Sequence, residues 1–161
     1  MARIDLPDGE GLDVVKALTL APHFAATIGA YEKSVAETTL DPRLHELVRY
    51  RIALINECTL CMGLRRDGTG VTEELLAHVE EPGPDFTEAE RVALAFAGQF
   101  AAHSAGISDE LVADVEKQLG TAGVIELALV CGKYLAFGRF MQVLGLDQAC
   151  ALDHAALVAQ Q

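Results

Sequence analysis

The stretch DPRLHELVRYRIALINECTLC, residues 41–61, decides how this chain is read. It opens with Asp41-Pro42, a helix N-cap residue followed by the one residue type suited to the first helical position and no other. Leu44, Leu47, Val48, Ile52 and Ile55 then recur at helical spacing and mark one buried face. The stripe falters at Asn56-Glu57, and Cys58 and Cys61 follow three residues apart. Glu46 and Cys58 on one straight helix would lie about 18 Å apart along its axis. They can meet only if the chain turns back, so a turn is expected near Asn56 to Cys58, with Cys61 on the next helix.

Outward from this stretch the pattern stays helical. A polar lead-in covers residues 1–10, and a first helix runs from about Gly11 to Leu18, where Pro22 interrupts. Phe24 to Thr38 resumes with Phe24, Ile28, Tyr31 and Val35 on one face. Short helices are expected from Cys61 to Arg66 and from Thr72 through Val79, separated by the turn Asp67-Gly68-Thr69-Gly70. Thr87 with Glu90 forms a capping box ahead of an apolar helix ending near Gly106. Ser108 caps the next helix, to Leu119-Gly120, and Thr121 opens a long one to about Leu144-Gly145. A last amphipathic helix is read from Asp147 to Val158. No segment alternates in the manner of a strand, so the fold class is all-α, one helical domain over residues 1–161. Glu46-Leu47 and Glu126-Leu127 each lead an apolar helix, which hints at internal duplication.

Composition narrows the function. Half the residues are hydrophobic but only 6% are aromatic, with no Trp, which suits close-packed Ala- and Leu-rich helices. The net charge of −12 argues against a nucleic-acid partner and against an anionic membrane surface. The most apolar stretch, Ala122 to Leu146, carries Glu126, Lys133 and Arg139 and reads as a buried helix. The opening MARIDLPDGE lacks an apolar signal core, so a cytoplasmic location is expected. Thiols are kept reduced there, and a C-x-x-C pair is then redox-active or metal-binding more often than structural. A structural zinc would need four ligands, and no second C-x-x-C exists; no metal or cofactor is expected. On a helix Cys58 and Cys61 share a face within disulfide reach. A nearby cation lowers a thiol pKa, and Arg65 and Arg66 both follow the pair. Cys131 and Cys150 stand apart and read as small core residues. On spacing alone Glu46 reads as a solvated carboxylate favoured by the helix dipole.

The run from Asp41 to Val48, with Arg51, Ala53, Asn56, Cys58 and Cys61, resembles the core of the carboxymuconolactone decarboxylase and alkylhydroperoxidase-D-like (AhpD-like) family. Glu88 to Leu94, Ser108 to Leu111, Ile125 to Leu127 and Gly138 to Phe140 resemble its C-terminal half, so the likeness spans about residues 15–146. It implies an AhpD-like helical bundle whose subunits assemble as trimers or hexamers. The peroxidase branch carries a Glu, eleven residues, then C-x-x-C-x-x-x-H. By position the resemblance implies Cys61 as the thiol that attacks a hydroperoxide, Cys58 as its resolving partner and Glu46 as the relay carboxylate. The reductant would be an external dithiol or a thioredoxin-like partner.

Two positions depart from that pattern. Arg65 stands where the relay His belongs, and Leu60 where some members carry a second His. Arginine stays protonated, so it can stabilise a thiolate or bind an anion but cannot shuttle protons. His23, His45, His78, His103 and His154 remain as substitutes. His45 projects about 100° away from Glu46 on a helix and is a poor one, whereas His103, near a helix end, could approach from elsewhere. Each histidine taken singly reads as a surface residue. Besides the peroxidase, two readings stay open. One is a lyase acting on a carboxymuconolactone-like acid, with Arg65 or Arg139 binding a carboxylate. The other is a non-catalytic, redox-responsive helical oligomer.

Overall fold

The computed structural model describes residues 2–147. They form seven α-helices and no strand. These are α1 (Asp13–Thr19), α2 (Pro22–Ala36), α3 (Pro42–Ile55), α4 (Thr59–Gly63), α5 (Glu73–Leu76), α6 (Glu88–His103) and α7 (Asp109–Leu144), with a 3₁₀ turn at Ser104–Gly106 between the last two. The interruption expected at Pro22 is there: α1 ends at Thr19 and Pro22 is the first residue of α2, which is where a missing N–H costs nothing. The helix read from Asp147 to Val158 lies outside the described residues, apart from Asp147 itself.

The sequence signals that specify geometry are used as such. Asp41 accepts hydrogen bonds from the Arg43 and Leu44 amides at 2.9 and 3.2 Å and starts α3. Thr87 and Glu90 complete the capping box of α6 in both directions. Ser108 caps α7 through the Leu111 amide. The two helices expected on either side of Gly120 are the two arms of α7. The helical backbone is interrupted there by φ 72° and ψ 168°, a conformation open to glycine alone.

The predicted turn after α3 is a Schellman closure. The Glu57 amide donates to the Leu54 carbonyl, the Cys58 amide donates to the Ala53 carbonyl, and Glu57 takes the left-handed conformation. That reversal brings α4 back across the end of α3. One cap is invisible to local reading. The Asp147 carboxylate receives the Asp13 and Val14 amides at 2.8 and 2.9 Å, capping α1 from the far end of the described chain.

The core is shared by α3, α6 and α7, through Leu44, Val48, Ile52, Phe96, Ala97, Leu127 and Val130. A second cluster joins α1 to α4 and the end of α7, and Cys58, Leu60, Met141 and Leu146 belong to it. α7 is long and apolar enough to cross a bilayer by length and composition alone, a test that core helices also pass. The two glutamates that hinted at duplication do different jobs. Glu46 is buried, while Glu126 ties the loop before α3 to α7 by accepting from the amide of Thr39 and the hydroxyls of Thr38 and Thr39.

Candidate active site

Cys58 is the N-cap of α4 and Cys61 lies in its first turn. The structure joins them in a disulfide with Cα atoms 5.2 Å apart. The Cys61 amide also points at the Cys58 sulfur, at 3.3 Å. Their surroundings differ. Cys58 is fully buried within the α1–α4–α7 cluster. Cys61 is only partly buried and lines a cavity of about 650 Å³. This volume is in the range that holds a small organic molecule.

Glu46 is not a solvated carboxylate. It is 1% exposed and takes two hydrogen bonds of 2.7 Å from Nε and Nη2 of Arg49, one turn on in α3. Arg49 then reaches across to α4. Its Nη1 donates to the Cys61 carbonyl at 2.6 Å and its Nη2 to the Leu64 carbonyl at 2.9 Å. Buried carboxylate, guanidinium and the C-terminal carbonyls of α4 thus form one chain of charge-assisted bonds. Reading by spacing missed this because burial of the 46 and 49 positions is set by α4 folding back over them. The signal available was the i,i+3 pair itself.

Arg65, at the position of the expected relay His, borders the cavity but is engaged by its neighbours. It grips Glu73 through Nε and Nη2 at 2.6 and 2.9 Å, donates to the Leu64 carbonyl at 2.7 Å, and lies over the Tyr50 ring. Hydrogen bonding to Glu73 raises its already high pKa, so it stays charged. His103 ends α6, exposed and folded against Gly106, and does not line the cavity. Arg139 donates to the Ala101 carbonyl at 2.7 Å and does not line it either.

The histidine at the site is His45, which sequence reasoning set aside as a surface residue. It is 2% exposed, with Nε2 3.0 Å from the Tyr134 hydroxyl. Nη1 of Arg66 stands 2.9 and 3.1 Å from its two ring nitrogens. Burial pushes its pKa down to about 4, helped by the charges of Arg66, Lys133 and Arg49. The ring is therefore neutral near pH 7. Tyr134 responds oppositely to burial, which lifts its phenol to about 12. Lys133 is buried, paired with Glu32 and set over the Tyr134 ring at 4.1 Å, and desolvation lowers its pKa. Arg66 was noted in the sequence only as a cation following the thiol pair, and Arg49, Lys133 and Tyr134 were given no role there, because their meeting depends on how α3, α7 and the loop after α4 pack.

Cys131 is buried among core residues, and desolvation raises its thiol to about 12, which leaves it unreactive. Cys150 lies outside the described residues. Among the described residues no three His, Cys, Asp or Glu side chains are grouped to hold a metal ion.

No family model matches the chain, and no curated protein matches it. Its structure is similar to that of a protein of unknown function from Agrobacterium tumefaciens, provisionally described as an antioxidant defence protein AhpD. The TM-score is 0.74 at 18% sequence identity, covering 90% of this chain and 96% of the other. A likeness of that extent at that identity establishes architecture, and the chain has the all-helical AhpD-like fold.

Proposed function

We propose that the protein is a thiol-dependent peroxidase that reduces organic hydroperoxides through a Cys58/Cys61 disulfide cycle. The observation that carries this reading is the unequal burial of the pair: Cys61 borders the cavity, while Cys58 is sealed behind it. A peroxide entering the cavity meets the Cys61 sulfur. The thiolate attacks the distal peroxide oxygen, the O–O bond breaks, and the alkoxide leaves to take a proton from solvent. Cys61 becomes a sulfenic acid, oxidised by two electrons. The Cys58 thiol then attacks the Cys61 sulfur and releases water, and an external dithiol reduces the resulting disulfide.

Arg49, Arg65, Arg66 and Lys133 line the cavity that Cys61 borders, and a cation near a thiol favours its thiolate. Glu46 acts by position in this reading. Fixed to Arg49, it holds the guanidinium that anchors the Cys61 and Leu64 carbonyls. Arg65 is engaged by Glu73 and has no proton to exchange. Turnover is therefore expected to be slower than where a relay histidine completes the motif.

The test is thiol loss in the reduced protein on addition of cumene hydroperoxide. We expect consumption faster than that of free cysteine. Cys61→Ser should abolish it, and Cys58→Ser should allow one equivalent of oxidation and trap the sulfenic acid for dimedone. A rate equal to free cysteine, unchanged by Cys61→Ser, overturns the proposal. Turnover of a muconolactone by the Cys58→Ser/Cys61→Ser double variant would establish the lyase in its place.

A further inference from the structure

The cavity beside Cys61 carries a charge pattern that the thiol pair does not require. The protein is acidic overall, yet Arg49, Arg65, Arg66 and Lys133 all line this one space. Three of the four are matched, Arg49 by Glu46, Arg65 by Glu73 and Lys133 by Glu32. Arg66 is different. Its Nη1 rests against His45, whose ring is neutral, and among the described residues no carboxylate forms an ion pair with it. Asp67, next in the chain, also lines the cavity but is exposed and makes no such pair. Tyr134 stands on the same side, with its hydroxyl tied to the same histidine. Val35, Leu60, Phe137 and Met141 form an apolar stretch of the same wall, which also carries Glu32 and Asn56.

A guanidinium with no carboxylate partner beside a phenol, facing an apolar stretch of wall, fits an amphipathic anion. The planar fork of Arg matches a carboxylate in particular, through two parallel N–H···O bonds. We infer that Arg66, with the Tyr134 hydroxyl, forms a carboxylate subsite in the Cys61 cavity, and that the substrate is a small organic hydroperoxide carrying a carboxylate. The peroxide half rests on the function proposed above, whereas the carboxylate half rests on the cavity alone.

The two halves are tested apart. The disulfide-bonded protein cannot attack a peroxide, so it reports binding only. It is titrated by calorimetry with 4-isopropylbenzoate and with the neutral, equally shaped 4-isopropylbenzamide. The carboxylate is expected to bind at least about tenfold tighter, the gain typical of a charge-assisted hydrogen bond. Arg66→Gln should remove the preference, Arg66→Lys should retain part of it, and Tyr134→Phe should weaken it several-fold. Equal affinity for the two ligands, a preference untouched by Arg66→Gln, or equally tight inorganic phosphate overturns the carboxylate subsite. Reduced protein is then given cumene hydroperoxide and its 4-carboxy derivative. Carboxylate binding without consumption of either peroxide overturns the peroxidase and leaves the subsite standing. Consumption of both at equal kcat/KM overturns the subsite as a substrate determinant and leaves the peroxidase.

Discussion

At the scale of single residues, the site is governed by what burial does to ionisable groups. Glu46 and Arg49 are 1% and 6% exposed at their side chains, and each is the other's counter-charge. Removing one partner of such a pair leaves a charge stranded in a poorly polarisable interior. Arg49→Met should therefore lower unfolding free energy by about 3–5 kcal/mol in urea denaturation. A loss under about 1 kcal/mol, the worth of a surface pair, would contradict the burial argument. His45 supplies the pH dependence. Its pKa falls from the ordinary 6.5 to about 4 in the folded protein. Between those values the unfolded chain binds more protons, so stability is complete above about pH 6.5 and declines as pH drops toward 4. The linked loss is up to about 3 kcal/mol. His45→Gln should flatten that part of the stability profile measured by denaturant titration, and an unchanged slope would rule His45 out as its source. Neither behaviour was legible in the sequence. Positions 45, 46 and 49 in the first half of an amphipathic helix look solvated until the segments that pack across them are known.

At the scale of elements, legibility follows whether the determinant is local. The starts of α3, α6 and α7 were readable because Asp41, Thr87 and Ser108 bond to amides two or three residues on. The turn at Glu57 was readable because the apolar stripe stops there. The ends of α4 and α5 were not, since both helices run a residue or more short of their expected ends, at Gly63 and Leu76. Tertiary contacts such as Arg49 to the Leu64 carbonyl take over there. The α1 cap was hidden for the same reason, since its donor groups and Asp147 are more than 130 residues apart. Asp147→Ala should cost about 1 kcal/mol, the usual worth of an N-cap. Hydrogen exchange should show it as faster exchange at the Asp13 and Val14 amides; equal rates would show that the cap bears no load. Gly120 tests the break in α7. A Cβ there would meet no atom within 4 Å, so any penalty comes from backbone conformation alone. Gly120→Ala should destabilise by about 1–3 kcal/mol in thermal or urea unfolding, and a neutral result would mean that the two arms can straighten into one helix.

At the scale of the whole molecule, the helical pattern was enough for the all-α class and the family resemblance for the AhpD-like arrangement, but neither gave the cavity. Its wall draws on α3, α4, α7 and the loop carrying Arg65 to Asp67, so it exists only after packing. What the molecule leaves uncovered bears on assembly, an expectation that came from family resemblance. Ile125 and Leu129 lie one turn apart on the arm of α7 that follows Gly120 and are 58% and 54% exposed. Burying a side chain of this size contributes about 1.5–3 kcal/mol. Repeated across a symmetric contact, that contribution is large enough to bias a chain toward self-association. We expect sedimentation equilibrium to return a multiple of the 17.2 kDa chain mass. Leu129→Asp places a charge in the middle of that face, where a partner surface would have to desolvate it, and should shift the population toward monomer. Helical content by circular dichroism should stay unchanged, because the side chain contributes little to the core of its own subunit. A parent protein that sediments as a monomer would refute assembly outright. An assembly indifferent to Leu129→Asp would move the contact to another face, and the exposed apolar pair of Leu20 and Phe24 at the α1–α2 junction would be substituted next.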